Sequence, residues 1–158
     1  MRYAGLNKND EINGVGICVS LWMQGCPHRC FGCHNPETWS QNCGKEIEWK
    51  ELKKEIFSAI TANGIQRNFS ILGGEPLVPY NREYTFEILK EVKQKFPSIK
   101  TCVWTGYEQE ELSELFKKKA FENIDYLIIG RYEKKLRDVT LKWRGSSNQK
   151  ILIKNINY

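Results

Sequence analysis

The sequence predicts an α/β fold: an open partial (β/α) barrel of about five or six mainly parallel strands with flanking helices. Three observations carry that expectation. Short β-branched and apolar runs alternate with longer amphipathic stretches, and strand–helix–strand alternation builds parallel sheets through crossover helices. The chain has 158 residues, whereas a complete eight-unit barrel takes about 250 and rarely fewer than roughly 200. No internal repeat, low-complexity segment or linker interrupts the pattern, so a single domain over residues 1–158 is expected.

The first expected strand covers residues 15–23, β-branched and apolar and bounded by Gly14, Gly16 and Gly25. A cysteine-bearing loop follows, to about Gly44. Residues 49–62 carry Trp49, Leu52, Ile56, Phe57 and Ile60 at helical spacing, and Asn63-Gly64 stops them. A buried strand over 69–72 ends at Gly73-Gly74. A helix over 84–96 places Phe86, Leu89, Val92 and Phe96 on one face, and Pro97 ends it. A strand over 100–105, a charged amphipathic helix over 108–119 and a strand over 124–130 come next. A basic stretch with turn signals, 131–149, leads to a last strand over 150–154. Each irregular motif then follows a strand: the cysteine loop, Gly73-Gly74-Glu75-Pro76, Thr105-Gly106-Tyr107 and Gly130-Arg131. All four fall on one rim, the C-terminal ends of the strands, where such folds place their active sites.

Hydrophobic residues make up 41% and charged residues 27%, an ordinary globular balance. No apolar run approaches the length of a membrane span. The start of the chain lacks an apolar signal core, so export is not expected and a cytoplasmic location is. The net charge of +5 comes from lysines interleaved with glutamates along the expected helices, a solvated surface rather than a nucleic-acid footprint. In that compartment thiols stay reduced, and clustered cysteines read as metal ligands. Cys18 and Cys102 lie within strands, as small buried hydrophobes, and Cys43 lies in a polar loop.

The chemistry concentrates at Cys26, Cys30 and Cys33, spaced i, i+4 and i+7 with no fourth cysteine to complete the set. Structural zinc takes four protein ligands, and simple iron–sulfur proteins give four thiolates to a four-iron cluster. Three thiolates leave one metal position open. His28, inside the loop, is expected to order it rather than to act as acid or base. Glycines at a strand end, as in Gly73-Gly74, let backbone approach a ligand closely.

Cys26-Pro-His-Arg-Cys30-Phe-Gly-Cys33 resembles the cluster loop of the radical S-adenosylmethionine enzymes. With Thr105-Gly106-Tyr107 and Arg144-Gly-Ser-Ser-Asn-Gln149, the chain resembles, over nearly its whole length, the activating proteins of the anaerobic ribonucleoside-triphosphate reductase. The resemblance implies a [4Fe-4S] cluster on Cys26, Cys30 and Cys33, with S-adenosyl-L-methionine chelating the fourth iron. It implies cofactor contacts from Gly73, Gly74 and Glu75 along the methionine part, from Gly32, Cys33 and His34 near the adenine, and from Thr105. It further implies a one-electron donor such as a flavodoxin, and reductive cleavage to a 5′-deoxyadenosyl radical. That radical takes a hydrogen from a glycine of the large catalytic subunit of the reductase. No protein acid or base is required, and no nucleic acid or membrane takes part. Two positions depart from the pattern. Gly32 stands where an aromatic residue often packs on adenine, and Ile129 stands where an acid commonly precedes the glycine. The basic, aromatic segment 131–144, with Tyr132, Lys134, Lys135, Arg137, Lys142 and Trp143, is expected to border the reductase docking surface. Two other classes fit the residues: an activase of another glycyl-radical enzyme or a small-molecule radical enzyme, and a non-catalytic metal-binding redox module. Against the latter stands the missing fourth ligand.

Overall fold

Seven strands, β1 (Arg2–Asp10), β2 (Cys18–Met23), β3 (Lys45–Glu46), β4 (Asn68–Gly73), β5 (Thr101–Trp104), β6 (Tyr126–Ile129) and β7 (Lys150–Ile153), form one open sheet ordered β3-β1-β2-β4-β5-β6-β7. The structure, a computed structural model, describes residues 1–117 and 119–158. Pairing is parallel through the centre, β2 to β4 to β5 to β6, as strand–helix alternation requires. It is antiparallel at both margins, where β1 pairs with β2 and β3, and β7 with β6. The expected five or six strands are therefore corrected to seven among the described residues. The main omission is β1, whose Asn7, Lys8 and Asn9 are exposed on a polar margin, so it lacks the apolar run that marks a buried strand.

Alternation along the central strands gives the sheet two unlike faces. Leu21, Ile71, Val103, Leu127 and Leu152 are cross-strand neighbours in one row, and all are buried in the main core. Helices α1 (Trp49–Ile60) and α2 (Pro79–Lys95) join that core through Leu52, Ile56 and Ile60 and through Phe86, Leu89 and Val92. The opposite face carries the row Ser20, Ser70, Cys102, with Trp22, Leu72 and Trp104 nearer the C-terminal rim.

Local chemistry fixes the helix ends. Asn63 and Gly64 take left-handed backbone after α1, and the buried Arg67 guanidinium donates to the carbonyls of Ala59, Ala62 and Ile65 and to Asn9 Oδ1. Pro79 opens α2 at its first turn, which needs no N–H there, so the helix starts earlier than the expected 84. The helix expected over 108–119 is corrected to turns flanking a short α3 (Ser113–Phe116) and a 3-10 turn (Lys119–Asn123), with position 118 outside the described residues. Glu111 accepts from the Glu108 amide at 2.7 Å, as at a helix start, and also pairs with both terminal nitrogens of Arg131. Among the described residues no helix is long and apolar enough to cross a membrane.

Candidate metal centre

The cysteine loop is closed at its base and bent inside. After β2 the chain turns at Gly25, at φ +94°. Gly25 N–H donates to Thr38 O at 2.8 Å, and Cys26 N–H to Trp39 O at 2.9 Å. Within the loop Arg29 (φ 46°) and Gly32 (φ 75°) are left-handed, a conformation that costs little at glycine and more at arginine. Cys33 N–H donates to Cys30 O at 3.0 Å, and the Asn35 amide donates to Cys33 Sγ at 3.4 Å. Buried Gln24 donates to the carbonyls of Glu37 and Ser40.

Neighbouring strand ends are hydrogen-bonded to this loop. Glu75 N–H donates to Gly25 O at 2.8 Å and Gly74 N–H to Met23 O at 2.9 Å. A Cβ on Gly74 would lie 2.5 Å from Gly25 O, and one on Gly73 2.8 Å from Met23 N. The two glycines are thus required by the protein's own backbone, a reason the sequence did not disclose. Asn81, in the first turn of α2, donates to the carbonyls of both Gln24 and Glu75. The buried Glu75 carboxylate accepts from Leu77 N–H and Thr105 Oγ at Oε1, and from Gly106 N–H at Oε2. His28 Nε2 stands 2.8 Å from that same Oε2. Gly130 N–H donates to Tyr107 O, which carries the connection to the fourth strand end.

These motifs enclose one cleft of about 460 Å³, within the size range of small-molecule sites. Cys26, Cys30 and Cys33 line it, with Gly73, Gly74 and Glu75 alongside. His34 and Thr105 line it too, and Trp22, Leu72 and Trp104 supply apolar wall. Gly32 does not: it is exposed, and a Cβ there would lie 2.9 Å from Lys134 Cδ. Cys18 and Cys102 are buried, while Cys43 is exposed.

Burial pushes the Cys26 thiol up to about 11, and burial also raises Cys30. Both are therefore protonated near neutrality until a metal displaces the proton. Among the described residues no three His, Cys, Asp or Glu side chains already stand in metal-holding geometry. The donor set nevertheless suits an iron–sulfur cluster with an open position, because three soft thiols share one cleft. His28 and Glu75, which also line the cleft, are engaged with each other.

Comparison with known proteins supports an iron–sulfur cluster. A family model described as a 4Fe-4S single cluster domain matches residues 12–152. The anaerobic ribonucleoside-triphosphate reductase-activating protein of Enterobacteria phage T4 is 36% identical, covering 96% of this chain and 93% of that protein. Its namesakes in Salmonella typhimurium and Escherichia coli K12 are 35% and 33% identical, each covering 94% of this chain and 96% of the relative. The chain belongs to the family of anaerobic ribonucleoside-triphosphate reductase-activating proteins.

In this member of the activating-protein family the motif 144–149 serves to fold the rim. Gln149 Nε2 donates to Gly130 O at 2.9 Å, while its Oε1 accepts from the amides of Gly145 and Ser146. Asn148 Nδ2 donates to Arg131 O. The segment 131–149 is thereby tied to the end of β6 and faces the cysteine loop: Tyr132 packs on His34 with ring centroids 5.2 Å apart, and Lys134 Nζ lies 4.9 Å over the Phe31 ring. Sequence reasoning missed Gln24, Asn81 and the double role of Gln149. Polar residues flanked by glycine and proline turns are their only local mark.

Proposed function

We propose that this chain is a radical S-adenosylmethionine activase, an oxidoreductase that generates a glycyl radical on the large catalytic subunit of the anaerobic ribonucleoside-triphosphate reductase. The observation that carries the reading is a three-cysteine cleft in which His28 and Glu75 are already committed to each other, in a relative of proteins named as activators of that reductase. When bound, a [4Fe-4S] cluster and S-adenosyl-L-methionine supply one-electron reductive cleavage of the cofactor and, through it, hydrogen abstraction from a glycine.

The chain's own residues hold, orient and shield. Cys26, Cys30 and Cys33 hold the cluster as thiolates. The backbone at Gly73, Gly74 and Glu75 borders the methionine part, and Cys33, His34 and Thr105 border the remainder, while Gly32 stands outside the cleft. Trp22, Leu72 and Trp104 keep water from the reacting atoms. Segment 131–144 forms the rim on which the reductase docks, its Lys134, Lys135 and Arg137 exposed for that purpose. The open sheet, curved as a partial barrel, leaves a lateral entrance for a peptide loop. A flavodoxin-type donor supplies the electron in the cytoplasm, with no part for nucleic acid or membrane.

Anaerobic reconstitution with iron and sulfide, then reduction in the presence of S-adenosylmethionine and the reductase, tests the reading. The expected outcome is 5′-deoxyadenosine together with a glycyl radical signal on the reductase. 5′-Deoxyadenosine without that signal keeps the cofactor chemistry and rejects the partner. Binding of zinc alone, with no cofactor cleavage, overturns the whole reading.

A further inference from the structure

We infer that Glu75 and His28 are positioning residues, a buried carboxylate–imidazole latch that pins the cysteine loop to the neighbouring strand ends and so sets where the thiols stand. The inference deepens the cluster reading of Cys26, Cys30 and Cys33 and rests on it for its functional meaning.

The Glu75 carboxylate is fully buried, and burial of a carboxylate is tolerated only when its oxygens are satisfied. Leu77 N–H at 2.9 Å and Thr105 Oγ at 2.7 Å satisfy Oε1. Gly106 N–H at 2.7 Å and His28 Nε2 at 2.8 Å satisfy Oε2. An ionised carboxylate has about four acceptor sites, so this side chain has none left for a ligand. Its action falls on the chain itself.

His28 lies midway between Cys26 and Cys30, and its side chain is only 6% exposed. Because the carboxylate can only accept, Nε2 carries the proton in this pair. The imidazole is seated by Tyr107, edge-on at 4.8 Å, and by the absence of a side chain at Gly106. A Cβ on Gly106 would lie 2.5 Å from His28 Cδ2. Gly106 has no left-handed backbone to explain it; the glycine makes room for the imidazole. One carboxylate thus joins the centre of the cysteine loop, the turn after β4 and the turn after β5.

The test reads thiol accessibility in the full-length chain without metal, by peptide-resolved alkylation, with exposed Cys43 as internal control. His28→Ala and Glu75→Gln should each speed alkylation of Cys26 and Cys30 by about tenfold, since the loop opens once a charge-assisted bond is lost. The double variant should be no faster than either single one, and Cys43 should not change. His28→Gln, which keeps an N–H donor, should recover most of the protection. After reconstitution, the electron paramagnetic resonance spectrum of the cluster should change in His28→Ala and Glu75→Gln even with no S-adenosylmethionine added. Unchanged Cys26 and Cys30 rates, or effects that multiply in the double variant, overturn the latch. An unaltered cofactor-free spectrum with only cofactor binding lost makes Glu75 a cofactor ligand and overturns it too. If Glu75→Gln does not fold, the contrast between His28→Ala and His28→Gln decides alone. A wild-type chain that takes up no cluster refutes the functional reading, while the alkylation rates still judge the latch.

Discussion

On the helix-covered face of the sheet, Leu21, Ile71, Val103 and Leu127 stand in one cross-strand row, each 0% exposed. On the other face the matching row is Ser20, Ser70 and Cys102, equally buried, and it leads up to the cleft. The first face is held by apolar area, at roughly 1.5–3 kcal/mol for each fully buried aliphatic side chain. The second is mixed, with serines and Cys102 below and Trp22, Leu72 and Trp104 toward the cleft. Its order comes from hydrogen bonds between loops, such as those of Glu75, Gln24, Asn81 and Gln149. Stability and chemistry are therefore carried on opposite sides of the same strands, and substitutions should separate them.

The largest separation is expected at the thiols. Cys26→Ala, Cys30→Ala or Cys33→Ala should lower cofactor cleavage by at least about a hundredfold, the upper end of what loss of an outer-shell partner of a metal ligand costs. The metal-free chain should unfold in urea nearly as the wild type does. Cys43→Ala should leave both measurements unchanged. Full cleavage in any of the three ligand variants removes it from the site. In the other direction, Ile71→Ala should cost about 2–5 kcal/mol in urea unfolding, with iron bound per folded molecule unchanged. A fall in that ratio would show that the two faces are not independent.

A smaller effect tests the hydrogen-bonded edge of the helix face. Burial acts to raise the Asp125 carboxyl, but the bonds from Lys93 Nζ and Thr101 outweigh it and hold Asp125 below the usual carboxylate range. A depressed value means stability that is present above the unfolded pKa of about 3.9 and is lost as pH falls through the folded one. Asp125→Asn should therefore cost about 1–3 kcal/mol at pH 7. The difference from wild type should shrink from about pH 5 downward; a constant difference with pH contradicts the assignment. The smallest effect is expected on the rim, where charge reversal at Lys134 and Lys135 should weaken reductase binding about tenfold, more at low salt than at high. Unchanged affinity removes this segment from the docking surface.

The central strands and both long helices were legible because their apolar residues recur at the periods of strand and helix. The margins were not. Polar β1 lacks an apolar run, and at 108–119 the helical spacing produced only turns and the short α3. At the site, the thiol spacing could be read within one short loop, where His28 Nε2 stands 2.8 Å from Glu75 Oε2. The partners of Glu75 lie far along the chain in His28 and Thr105, so no local pattern exposes the connection. Gly73 and Gly74 were legible as places of close approach, but what approaches is the backbone of Met23 and Gly25.

In the proposed site the cofactor supplies the cluster ligand that Cys26, Cys30 and Cys33 leave open. Electron–nuclear double resonance on the reduced, reconstituted chain, with S-adenosylmethionine labelled by 15N at the amino group and 17O at the carboxylate, tests it directly. Hyperfine coupling of both labels to the cluster is the predicted result. Strong coupling to a protein ligand with no coupling from either label would contradict it.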